Sequence, residues 1–138
     1  RHSRPEARIA EGLKMVDIGV LAAIDISDGT VADLRHVCEE SGLAAVIDAD
    51  TVPVSDELKK LFPEDWLAMG MSGGEDYELL FTSSSQVATE TASAIRLPVT
   101  IIGRMEEING DTTPGVTVVD GQGRTVDTGK GGWDHLIT

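Results

Sequence analysis

The sequence has a single cysteine, Cys38, so no intramolecular disulfide can brace the fold. Aromatic residues make up only 4% of the chain, and the core therefore has to be built from Val, Ile, Leu and Ala. No apolar run approaches the roughly 20 residues that a membrane-spanning helix needs, and the first residues show no signal-peptide pattern. Positive charge is also scarce. Lys and Arg number 11 against 24 Asp and Glu, a net charge of −13. That balance argues against general nucleic-acid or anionic-membrane binding, because both need a basic surface. It leaves phosphorylated ligands open, since Mg²⁺ is commonly held between carboxylates, waters and phosphate oxygens.

What is present is ordinary globular composition. At 138 residues, 41% hydrophobic and 25% charged, the chain suits one domain with its own core better than two. It begins on Arg1 rather than Met, which raises the expectation of further sequence upstream. Pro5 favours an extended lead-in, and residues 9–15 read as a short helix. The continuous apolar run over 19–26 predicts a strand buried on both faces. Val31, Leu34, Val37 and Cys38 recur at helical spacing, so a helix is expected over 30–41, stopped by Gly42 and burying the thiol. Further strands are expected over 44–47, 77–82, 99–103 and 116–120. Further helices are expected from Ser55, over 64–69 and over 84–96, and a Gly121-Gln122-Gly123 turn should close a hairpin. Strands and helices mix without strict alternation, which points to an α+β fold, a mixed β-sheet covered by helices.

Two short stretches carry chemistry. In Asp25-Ile26-Ser27-Asp28-Gly29, two acids and a hydroxyl lie where an apolar strand meets a turn. Buried or confined acids are costly unless paired, hydrogen-bonded or bound to a cation, so Asp25 and Asp28 are candidate metal ligands with Ser27 beside them. Gly29 would let backbone N–H groups approach a phosphate at the next helix start. The plainer reading is that Ser27 or Asp28 only caps that helix, with a weak capping box over 30–33. In Ser72-Gly73-Gly74-Glu75-Asp76-Tyr77-Glu78-Leu79-Leu80-Phe81, a Gly-Gly turn precedes acids and runs into a strand. It either presents Glu75 to a cleft or is a tight turn with solvated acids. An EF-hand is excluded, because with Gly29 at the sixth loop position the first ligand would be Ile24. His2, His36 and His135 have no zinc spacing.

These two stretches, with Arg4-Pro5-Glu6-Ala7-Arg8 before them and Gly131-Gly132-Trp133-Asp134-His135 at the end, closely resemble the C-terminal half of the thiamine-monophosphate kinases, a family within the aminoimidazole-ribonucleotide synthetase superfamily. The resemblance covers essentially the whole chain. It implies ATP-dependent phosphorylation of thiamine monophosphate to thiamine diphosphate with Mg²⁺, in the cytoplasm. It makes Asp25 and Asp28 ligands of Mg²⁺, places Ser27 near the ATP phosphates, and puts Glu75 and Trp133 at the thiamine phosphate. No catalytic residue is assigned in this half. Residues 1–138 would be a substrate-side domain, with 1–15 leading into it. A separate N-terminal domain would supply much of the ATP site and a homodimer contact, so the isolated chain is expected to be folded but inactive. The alternatives are a superfamily member with another phosphate acceptor, or a non-catalytic ligand-binding module.

Overall fold

The computed structural model describes residues 5–110 and 113–128. Its elements run α1 (Ile9–Ile18), β1 (Ala22–Asp25), α2 (Thr30–Ser41), β2 (Leu43–Asp48), a 3-10 turn at Ala49–Thr51, α3 (Asp56–Leu61), α4 (Trp66–Ser72), β3 (Leu79–Thr82), α5 (Ser85–Ala94), β4 (Gly103–Glu107) and β5 (Gly115–Val119). The expected α+β class holds. The strands divide into two sheets, an antiparallel β1–β3 pair and a three-stranded mixed sheet in the order β4-β2-β5. In the latter, β2 is antiparallel to β4 and parallel to β5.

The core forms where α2 lies on the three-stranded sheet. Val31, Leu34 and Cys38 of α2 meet Ala45 and Ile47 of β2 and Val118 of β5, with Ala49, Val52 and Met71 closing the cluster. The helical spacing that predicts α2 is therefore its packing face, and Gly42 ends it in a left-handed conformation. Cys38 is fully buried, as expected. Burial pushes its thiol pKa up, while a backbone hydrogen bond at Gly115 pulls the other way. Ser55 caps α3 by accepting from the Leu58 N–H, with Asp56 and Glu57 in the first turn where the helix dipole favours them.

Three expectations are corrected. The strand over 19–26 is shorter and is not buried on both faces: Ala23 and Asp25 of β1 are exposed, and Leu21 just before it is 96% exposed. A two-stranded ribbon covers only one side of itself, so the apolar run reflects strand propensity rather than two-sided burial. The strand expected over 77–82 begins only at Leu79, because Tyr77 has a left-handed backbone, φ 52°. The strand expected over 99–103 lies instead at Gly103–Glu107, an edge strand whose Arg104, Glu106 and Glu107 are exposed. Charged edges of this kind resist pairing with other chains, and they hide a strand from any reading that follows apolar runs. The hairpin turn is as expected, with the Gly123 N–H bonded to Asp120 O and the Val126 N–H to Val118 O. Among the described residues no helix is long and apolar enough to cross a membrane.

Candidate functional site

The two acidic stretches, far apart in the chain, are hydrogen-bonded neighbours. The β1–β3 ladder pairs Asp25 with Leu79. It continues past the strand ends, where the Ile26 N–H donates to Glu78 O, the Tyr77 N–H to Ile26 O, and the Glu75 N–H to Ser27 O, each at 2.9 Å. Asp25, Ser27, Asp28 and Glu75 are therefore carried on one continuous backbone edge. Asp25, Asp28 and Glu75 are exposed there, and Ser27 is half-buried.

Glycines make the approach possible. A Cβ on Gly74 would overlap Ser27 O, and one on Gly29 would sit 3.0 Å from Met71 O, Ser72 C and Ser72 O. Gly29 also has φ 118°, which L side chains rarely adopt. Gly74 is thus required by contact with the first stretch, whereas a Cβ on Gly73 would overlap Met69 O at the end of α4; the pair does more than turn the chain.

Neither Ser27 nor Asp28 caps α2; the N-cap is Gly29, with no side-chain cap bond. Their side chains are not spent on the helix. The work of holding the loop falls to Asp33, one turn into α2 and 3% exposed. Its Oδ2 accepts from the N–H groups of Ser27 at 2.9 Å, Asp28 at 3.1 Å and Gly29 at 3.3 Å. This corrects the expectation that Gly29 frees these N–H groups for a phosphate: they are bonded to the protein's own carboxylate. Sequence reading missed Asp33 as an organiser. The available signal was an acid four residues beyond Gly29, close enough to fold back on the loop.

The second stretch is held at its far end by Arg8. The guanidinium makes a bidentate pair with Glu78, Nε to Oε2 at 3.0 Å and Nη2 to Oε1 at 2.8 Å. The hydrogen bond to Glu78 is the main cause that raises the Arg8 pKa above its ordinary value. The lead-in segment is thereby tied to the candidate site. His36 is exposed on α2 with Glu39 at 4.0 Å, a surface pair. Among the described residues no group of three or more His, Cys, Asp or Glu is placed to hold a metal ion. Trp133, like His2 and His135, lies outside the described residues.

Glu75 and Tyr77 are the only described non-glycine residues with positive φ, 69° and 52°. Left-handed backbone costs a non-glycine residue about 1–2 kcal/mol, so this stretch is held in place by its surroundings. Glycine normally destabilises relative to alanine, by roughly 0.5–1 kcal/mol. At Glu75 the order should reverse: Glu75→Gly is expected to be more stable than Glu75→Ala by about 1 kcal/mol in denaturant unfolding. If the alanine variant proved the more stable, the left-handed geometry would be wrong.

Comparison with known proteins agrees with this fold. The model of the C-terminal domain of AIR synthase related proteins matches residues 2–113. Thiamine-monophosphate kinase of Escherichia coli K12 is 38% identical over 142 aligned residues, covering 100% of this chain and 42% of the relative. The chain thus spans about two fifths of the length of the curated relatives it matches. Among solved structures, AaThiL complexed with AMPPCP and TMP superposes with a TM-score of 0.75 at 35% identity, over 99% of this chain and 40% of that one. Thiamine-monophosphate kinase from Stenotrophomonas maltophilia K279a gives 0.71 at 37% identity, over 83% of this chain and 36% of that one.

Proposed function

Because the chain belongs to the AIR synthase related proteins, as their C-terminal domain, we propose that it is the substrate-side part of an ATP-dependent thiamine-phosphate kinase. In this reading it works with a further, N-terminal domain that supplies much of the nucleotide site and the contact between two subunits of a cytoplasmic homodimer. The observation that carries the reading is the Ser27–Glu75 backbone bond, which sets the candidate nucleotide-side residues beside the candidate thiamine-side residue. A relative of the same fold is described in complex with AMPPCP and TMP, which supports ATP and thiamine monophosphate as the two substrates.

The donor set suits Mg²⁺. This ion commonly uses one or two carboxylates and completes its shell with water and substrate phosphates, rather than a protein cage. Asp25 and Asp28 are exposed, and no third group among the described residues is placed with them to hold a metal ion, which fits that usage. Bound Mg²⁺ would neutralise charge on the transferring phosphoryl group. The chain's own part is positional. Asp33 fixes the loop that carries Ser27 and Asp28, and the β1–β3 ladder with its extension to the second stretch fixes Asp25 and Glu75 relative to them. Ser27 would face the nucleotide phosphates, and Glu75 with Trp133 would hold thiamine monophosphate. Phosphoryl transfer depends mainly on such alignment and charge neutralisation.

The test is ATP-dependent formation of thiamine diphosphate by the full chain together with its N-terminal domain, alongside calorimetric titration of thiamine monophosphate with and without Mg²⁺. Asp28→Asn is expected to lower kcat about 10²-fold or more, whereas Glu75→Ala should mainly raise KM for thiamine monophosphate. A two-domain protein that turns over ATP with another phosphate acceptor, and not with thiamine monophosphate, would overturn the proposal.

A further inference from the structure

The backbone of the 26–29 loop has an unusual set of partners. Three successive N–H groups, those of Ser27, Asp28 and Gly29, converge on one oxygen of Asp33. Successive N–H groups converging on one point form an anion-binding concavity, and here the concavity sits at the start of a 12-residue helix whose dipole also favours negative charge. In phosphate-binding loops such a cradle receives the ligand. In this protein it is already filled, by a carboxylate from the next turn of the helix that is itself 3% exposed. Most other backbone groups of the loop are also engaged: the Ile26 N–H with Glu78 O, Ile26 O with the Tyr77 N–H, Ser27 O with the Glu75 N–H, and Gly29 O with the Asp33 N–H. What the loop turns outward is therefore negative, the exposed side chains of Asp25 and Asp28.

We propose that Asp33 is a specificity-determining positioning residue. It is a built-in anion that plugs the phosphate cradle of residues 27–29, so that this end of α2 refuses bare phosphate and accepts phosphate only in company with a divalent cation. The inference deepens the reading of the same site given above and rests on it for the identity of the phosphate ligand. Its physical core, a filled cradle behind an acidic front, stands on the hydrogen bonds alone. Asp33 touches no substrate in this scheme. It acts by aiming the loop and by removing from it the donors that a phosphate would use.

The test is inorganic phosphate titrated, without divalent cation, into the full chain while the amide resonances of Ser27, Asp28 and Gly29 are followed by NMR. The wild type should show no saturable shift at these three amides. Asp33→Ala should acquire one, reduced by competing sulfate, because the vacated cradle now binds the anion. A loss that were merely structural would broaden signals without conferring phosphate affinity. Removing a buried carboxylate can also unfold the helix start, so two further arms decide the matter independently. Saturable phosphate shifts in the wild type overturn the proposal. In Asp33→Asn, where a neutral oxygen replaces the charged acceptor, hydrogen exchange of the three amides should quicken about tenfold; unchanged exchange overturns it as well. None of these readouts involves ATP or thiamine, so failure of the kinase assay leaves them interpretable. If the plug behaves as stated yet Mg²⁺–ATP binds equally well to wild type and variants, the plug stands and the nucleotide assignment falls.

Discussion

Gly74→Ala is expected to destabilise the domain by about 2–3 kcal/mol and, in the proposed two-domain kinase, to abolish most of the activity. The added methyl group would overlap Ser27 O, with Ser27 C and Asp28 Cα each 3.5 Å away. These are backbone atoms, and no side chain can swing aside to admit it. Ser27 O is also the acceptor of the Glu75 N–H, so relief of the clash must lengthen or break the bond that joins the two acidic stretches. Misplacement of a positioning group by about 1 Å can cost on the order of 10²-fold in rate. Thermal unfolding and kcat should fall together. A variant that kept both near wild type would mean that the two stretches are not packed backbone to backbone.

Gly103→Ala is expected to have the larger effect on stability, about 3 kcal/mol, read as a drop of about 10 °C in Tm. Gly103 opens β4 opposite Ile47, which is 1% exposed in the central strand β2. A Cβ there would overlap Val46 O and lie 2.9 Å from Ile47 Cα. The Asp48 N–H also donates to Ile102 O just beyond this pair, so both chains are anchored where the methyl group would enter. The strain falls on the three-stranded sheet and away from the acidic loop. Activity per folded molecule should therefore be retained at low temperature while the melting curve shifts down, a separation that Gly74→Ala should not show.

The parts of this fold that sequence reveals are those where burial imposes a period. Helix α2 was legible from Thr30 to Ser41 because Val31, Leu34 and Cys38 form its core face and Gly42 ends it. Strand β4 was not legible. It pairs through its backbone at an edge, and its exposed side chains follow solvent rather than core. The acidic stretches were legible as chemistry because glycines beside carboxylates at strand ends are a poor recipe for packing. Their adjacency was invisible from the residues alone, since the Ser27–Glu75 bond is a long-range backbone pairing with no local pattern. Asp33 was overlooked for a different reason. A carboxylate that folds back onto its own chain looks, in sequence, like any acid in a first helical turn.

The hydrogen bonds of the loop also divide the site by the order in which its parts can form. Asp33 reaches partners only four to six residues away, so the loop bearing Ser27 and Asp28 can assemble as soon as α2 does, with little loop-closure entropy to overcome. The stretch bearing Glu75 must find Ser27 across α2, β2, α3 and α4. One half of the site is thus a local product of the chain and the other a late arrival. The same asymmetry makes the Glu75 side the part expected to exchange its amide hydrogens first in partial unfolding, while the Asp33-held loop persists. In the proposed kinase, exchange of the substrate held at the Glu75 edge would leave the acidic loop in place.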